Sequence, residues 1–177
     1  AGFEVFHLPV LDARTTCLAL ATCLGEIADW ADAHPFHLPL LVWFEPKDED
    51  ADALDPDLLP LLGRWGELES LLLEVLGRGR IVGPSDVQGE AGSVGEAVLT
   101  SGWPTLRATR GKVVFALLDG GSRRADYVEW AQTAADPLIF PGTESLDEPW
   151  AAVAKLNDAV GDARVPQFLA AGLLVTS

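Results

Sequence analysis

Six short apolar stretches, most closed on the carboxyl side by charged or turn-forming residues, constrain this chain more than any other feature: Gly2–Leu8, Leu38–Phe44, Lys112–Leu118, Pro137–Phe140, Val153–Leu156 and Leu173–Val175. Runs of this length bounded by Pro, Gly and Asp read as strands. Leu38–Phe44 is continuously apolar, which predicts a strand covered on both faces, as in a parallel sheet. Helix-period segments lie between the runs. Thr15 or Thr16 offers an N-cap for a helix reaching about Ala33, with Leu20, Cys23 or Leu24, Ile27 and Trp30 as its buried stripe. Ala33-His34-Pro35 ends it. Further helices are expected over Leu58–Leu76, closed by Gly77, over Glu96–Leu99, and near Val165–Ala171. This alternation predicts an α/β protein with a parallel sheet or barrel. No linker-like stretch interrupts residues 1–177, so a single domain is expected.

Charge excludes several functions. Twenty-seven acidic against 12 basic residues give a net charge of −15, the wrong sign for displacing counterions from nucleic acid or for adsorbing to anionic membranes by charge. At 49% hydrophobic residues the chain is too apolar for a disordered segment. No run approaches the roughly 20 apolar residues of a membrane span. Methionine is absent and no signal-peptide pattern opens the chain, so a processed product or a fragment is expected.

The polar residues after the runs have a pattern of their own. His7, then Glu45, Lys47 and Asp48, then Asp119, Glu144, Asn157 and Asp158 all follow strands on the carboxyl side, where open α/β sheets and barrels place their sites. Strand alternation puts Trp43, Glu45 and Lys47 on one face. Two charges there require a ligand, a metal or mutual pairing; for Asp119, Glu144 and Asp158 an ordinary polar loop is the better reading. Asp48–Asp52 is acidic, but Ala53 and Leu59 stand where a calcium loop needs Gly and Glu. Gly77-Arg78-Gly79-Arg80 lacks a third glycine and follows a helix, so it is no dinucleotide fingerprint. His34 and His37 flank a proline turn and read as surface or packing residues.

Several strings carry a resemblance. Phe6-His7-Leu8-Pro9, Asp12-Ala13-Arg14-Thr15-Thr16-Cys17-Leu18 and Pro39–Asp48 resemble, in order, the bacterial and fungal calcium-dependent phosphoinositide phospholipase C family. Ser85-Asp86-Val87, Gly102-Trp103-Pro104-Thr105-Leu106, Arg110–Leu117 and Lys155-Leu156-Asn157-Asp158 continue it over almost the whole chain. The resemblance implies a TIM-type (β/α) barrel and, as reaction, cleavage of phosphatidylinositol-type lipids at the phosphodiester, with Ca2+ as cofactor. His7 matches the histidine that protonates the leaving oxygen, and Glu45 a calcium-binding carboxylate. Lys47 is a candidate for holding phosphate. Cys17 and Cys23 match family positions, and a disulfide there fits a secreted, extracellular protein; Cys17 would then lie before the regular helix. Contact with a membrane surface would be transient, through the substrate, with no transmembrane segment.

A full barrel takes about 250 residues, and the family's first catalytic histidine and an acidic pair precede the segment that matches His7. The chain is therefore expected to be an incomplete barrel, its later strands only, inactive by itself although the parent enzyme is active. Two other readings stand beside this one. A glycerophosphodiester phosphodiesterase also carries Glu-x-Lys on a barrel strand, and a non-catalytic barrel remnant could serve as a binding or scaffold protein.

Overall fold

In the computed structural model, residues 2–6, 14–46, 60–118, 121–156 and 161–176 are described. Helix α1 is Leu20–Ala33, strand β1 Leu40–Phe44 and helix α2 Trp65–Leu76. A 3-10 turn at Arg78–Arg80 leads to β2, Ile81–Val82. Three short helices follow, α3 (Pro84–Gln88), α4 (Val94–Thr100) and α5 (Leu106–Thr109), and then β3, Val113–Leu117. The rest is α6 (Ser122–Ala131), β4 (Ile139–Pro141), β5 (Val153–Lys155), α7 (Arg164–Ala170) and β6 (Leu174–Thr176).

Every strand pairing is parallel. β1 runs the full length of β3, with Leu40 opposite Val113 and Phe44 opposite Leu117. The opposite edge of β3 is shared, its first two residues pairing with β2 and its last three with β4. A bridge from Gly142 to Val153 hands the sheet on to β5, which pairs with β6. The result is an α/β fold on an open parallel arc. The expected closed barrel is not seen among the described residues.

Two apolar layers sandwich the arc. Leu40, Val42 and Phe44 of β1, with Val113, Phe115, Leu117 and Ile139, face α1 and α2 through Leu24, Leu68, Leu72 and Trp65. Phe115 and Trp65 are fully buried, each removing enough apolar surface from water to supply roughly 2–3 kcal/mol. Trp43, Val114, Ala116, Phe140 and Val153 pack on the other side. Small Ala116 lies between bulky Trp43 and Phe140 in register, so large and small side chains interdigitate.

Several expectations need correction. β1 is less covered than expected: its side chains enter both layers, but four are only half-buried and Leu41 is 38% exposed, and among the described residues β1 has a strand on one edge only. The strand buried on both faces is β3, all five of whose residues are buried. Of the first run, residues 2–6 show an isolated antiparallel bridge, Glu4 to Ala19, instead of a strand of the sheet. Val5 N–H donates to Leu18 O (2.7 Å) and Leu20 N–H to Phe3 O (2.9 Å). That pairing holds Ala19 extended, so α1 starts at Leu20 without a side-chain cap instead of after Thr15 or Thr16. Its buried stripe is Leu20, Leu24, Ala28 and Ala31, while Trp30 is 45% exposed. α2 starts at Trp65, after a turn in which Gly63 adopts φ +73°, and closes at Gly77 with φ +75°, a conformation only glycine takes without strain.

Candidate active site

Parallel topology points the carboxyl ends of all the strands to one rim of the sheet. Residue parity decides what reaches it. Trp43 of β1, Phe140 of β4 and Val153 of β5 share the layer away from α1 and α2. Counting on by two from each places Glu45, Gly142 and Lys155 at the rim on that same side. The Lys155 ammonium donates to Glu45 Oε1 at 2.8 Å, although the two residues are 110 apart in sequence. Along the sheet, β1 and β5 are separated by three inter-strand steps, about 14 Å if it were flat, too far for side chains standing off a plane to meet. The pair therefore reports curvature: the arc bends so that Glu45 and Lys155 face one another across its concave side. Both are partly open to water, at 41% and 28% side-chain exposure.

A second charged contact lies beside Gly142. Arg124 of α6 donates to Gly142 O and to Glu148. Glu148 Oε1 in turn accepts the Glu144 N–H at 3.2 Å, which fixes the turn after β4. Thr143, buried, donates to Ser145 O at 2.8 Å and tightens the same turn.

The sequence-derived candidates divide. Glu45 is at the rim as expected. His7, Lys47, Asp119, Asn157 and Asp158 lie outside the described residues. His34 and His37 precede β1, at its amino end and away from the rim. His34 stacks on Trp30 with ring centroids 4.4 Å apart, and its Nδ1 hydrogen-bonds Trp30 O at 2.8 Å. Cys17 and Cys23 form a disulfide, Cα atoms 5.5 Å apart, with Cys17 on the segment before α1. Lys155 opens one of the family-like strings but is not among the sequence-derived site candidates. Its signal is its place as the one basic residue inside an apolar run at a strand's carboxyl end, one residue ahead of the polar pair Asn157 and Asp158 that strand-end reasoning selects.

The described residues do not compose a calcium site. Calcium takes six to eight oxygens, whereas Glu45 is one carboxylate already engaged by an ammonium, and no cluster of three or more His, Cys, Asp or Glu side chains suited to a metal occurs among the described residues.

A parallel α/β arc with a charged rim at its strand carboxyl ends is the architecture of barrel-type and doubly wound enzymes. Comparison narrows the class. Residues 1–177 match the family model of calcium-dependent phosphoinositide phospholipase C, and the chain belongs to that family. Its fold is similar to that of a Ca2+-dependent phosphatidylinositol-specific phospholipase C from Streptomyces antibioticus, with a TM-score of 0.69 and 23% identity over 92% of this chain and 59% of that one. It is also similar to a calcium-dependent phosphoinositol-specific phospholipase C from a Pseudomonas species, solved as a myoinositol complex, at TM-score 0.63 and 18% identity over 89% and 58%. A search of curated proteins gave no significant match. The chain thus spans less than two thirds of the solved enzymes it resembles.

Proposed function

We propose that the protein to which this chain belongs cleaves the phosphodiester of phosphatidylinositol-type lipids in a calcium-dependent phospholipase C reaction. The observation that carries this reading is the family match along the whole chain, together with Glu45 at the carboxyl rim. The chain is then the later part of a phosphodiesterase barrel. In this reading His7 protonates the leaving alkoxide, and a positioned acid of that kind contributes typically ~10²–10⁴-fold. Lys47 holds a phosphate oxygen. Calcium would supply charge neutralisation at phosphate, and Glu45 one of its oxygens. The Cys17–Cys23 disulfide supports an extracellular location, since disulfides persist in oxidising compartments. Contact with the membrane is through the substrate, and no described helix is long and apolar enough to cross it.

Product analysis tests the reaction. Intact protein given phosphatidylinositol vesicles should release diacylglycerol and an inositol phosphate, and a calcium chelator should stop the release. Action confined to glycerophosphoinositol, yielding glycerol phosphate, would favour a glycerophosphodiester phosphodiesterase. Indifference to both substrates would favour a binding or scaffold role.

A further inference from the structure

Most cations of this acidic chain are spent on its own carboxylates. Arg64, Arg78, Arg80, Arg124, Lys155 and Arg164 each form an ion pair. With 27 acidic residues in the chain, that is the condition expected of a cation. Arg107, Arg110 and Lys112 depart from it. None of the three pairs with a carboxylate among the described residues, and all lie on one stretch that runs from α5 to the amino end of β3. Large apolar side chains are exposed on the same stretch and beside it. Leu106 opens α5, one turn before Arg110. Phe36, in the turn before β1, is 79% exposed, and Leu38 is exposed as well.

Hydrogen bonds join these two segments, 74 residues apart, into one surface. Arg110 Nη1 donates to Phe36 O at 2.7 Å, Gly111 N–H to His37 O at 2.9 Å, and Leu40 N–H to Lys112 O at 3.0 Å. Gly111 has φ +73°, and a Cβ there would stand 2.7 Å from Pro35 O, so only glycine lets the segments approach this closely.

We infer that this amino-end surface docks a segment of a partner protein in which carboxylates are interspersed with apolar side chains. The carboxylates meet Arg107, Arg110 and Lys112; the apolar side chains cover Phe36, Leu38 and Leu106. Charge complementarity carries the choice of partner. Fields are screened within about 10 Å, so three unpaired cations attract an anionic segment of small footprint although the whole chain carries −15. Arginine and aromatic residues around an apolar centre are also the composition enriched in protein–protein interfaces. A flat anionic bilayer has a wider footprint and meets the acidic surface as well as the patch. Docked here, it would also leave the carboxyl rim facing away from lipid.

Fluorescence anisotropy on the intact protein tests this with a short labelled peptide of glutamates interspersed with leucine and phenylalanine. Glutamates interspersed with serine, and lysines interspersed with leucine and phenylalanine, are the controls. The first peptide alone should bind saturably, one per chain. Arg107→Glu should weaken it about tenfold, because a repulsion replaces an attraction, and Arg107→Lys should stay within about twofold of wild type. Phe36→Ser should weaken it about tenfold through lost apolar burial, whereas Leu169→Ser, at an exposed leucine of α7, should change nothing. The Tm of Arg107→Glu and of Phe36→Ser should match wild type, which separates lost docking from lost fold. No saturable binding up to about 1 mM, equal binding of the glutamate–serine peptide, or indifference to Arg107→Glu or Phe36→Ser would overturn the proposal. Sedimentation with phosphatidylserine vesicles that the same two substitutions weaken would overturn it in favour of a lipid surface. Any of these results leaves the reaction assigned to the carboxyl rim untouched, since the peptide reads the opposite end of the sheet.

Discussion

Two charged centres occupy opposite ends of the sheet, and their chemistry differs as their locations do. Near the amino end of β4, Arg78 donates Nε to Asp136 Oδ2 (2.5 Å) and Nη1 to both Asp86 Oδ2 (2.9 Å) and Ile81 O (3.0 Å). Its Nη2 reaches Ser85 Oγ at 3.2 Å, and Ser85 itself bonds Asp136. Every prong of the guanidinium is spent on holding β2, α3 and the entry to β4 together. At the carboxyl rim Lys155 makes a single contact with Glu45. A planar fork with several partners fixes a fold; a point charge with one partner can be exchanged. In parallel α/β folds the amino ends of the strands carry stability, which is the part the Arg78 centre plays here; at the carboxyl rim the Arg124 fork also serves structure, fixing the turn after β4.

The largest expected effect lies at the amino end, in the core. Glu69 is buried, and its Oε1 accepts the Leu138 N–H at 2.9 Å and the Tyr127 hydroxyl at 2.7 Å. Glu69→Leu leaves both donors without that acceptor and should cost about 3 kcal/mol, measured by denaturant unfolding. Glu69→Gln keeps an acceptor oxygen and should cost far less. Burial pushes the Glu69 carboxyl above its ordinary value of 4.5, an effect partly offset by the Leu138 and Tyr127 hydrogen bonds. The folded state therefore holds the proton more tightly than the unfolded chain. Its contribution is fully present below the ordinary glutamate range and is lost as pH rises through the raised pKa. Stability of Glu69→Gln relative to the wild type should accordingly improve as pH rises through that window.

Arg78→Ala comes next, at roughly 2 kcal/mol; the pairs are about one-third exposed, which holds the effect below that of a fully buried network. Arg78→Lys should recover only part of it. Asp136 responds to pH in the opposite sense from Glu69. The hydrogen bond from Arg78 holds its carboxyl below the ordinary value, so its contribution is present above the ordinary aspartate range and is lost as pH falls through the lowered pKa. The cost of Asp136→Asn should shrink toward zero on acidification. Reducing the Cys17–Cys23 disulfide, which closes a short loop, should lower stability by about 2 kcal/mol in the loop-entropy account, visible as a lower Tm in reductant. Lys155→Ala should be the mildest, within about 1 kcal/mol. A cost as large as that of Arg78→Ala would break the division between the two ends.

The sequence made some of this legible. β3 and the carboxyl-end position of Glu45 followed from apolar runs and their polar ends, because a strand buried by its neighbours must be apolar on both faces. β1 misled for the same reason: Leu40–Phe44 has the composition of a central strand, yet among the described residues it has a partner on one edge only. α6 was missed because Ser122–Glu129 is strongly polar; Arg123, Tyr127 and Ala131 form its buried stripe, and two of these are not aliphatic. Ser85 and Asp86 stood in the family-like strings, but their role in the Arg78 centre depends on Asp136, some 50 residues away. Such pairings are set by topology and leave no local trace. The Glu45–Lys155 contact is of the same kind, since it depends on the curvature of the arc.

The proposal at the centre of the account is that Glu45, at the carboxyl rim, would supply one calcium ligand in the reaction of the intact protein. Release of inositol phosphate from phosphatidylinositol vesicles should be followed against calcium concentration for wild type and Glu45→Gln, with Arg78→Lys as the amino-end control. The account predicts that Glu45→Gln lowers activity about 10²-fold or more and moves the calcium requirement to higher concentration, while Arg78→Lys leaves the calcium requirement where it was. Activity and calcium dependence unchanged in Glu45→Gln would contradict it.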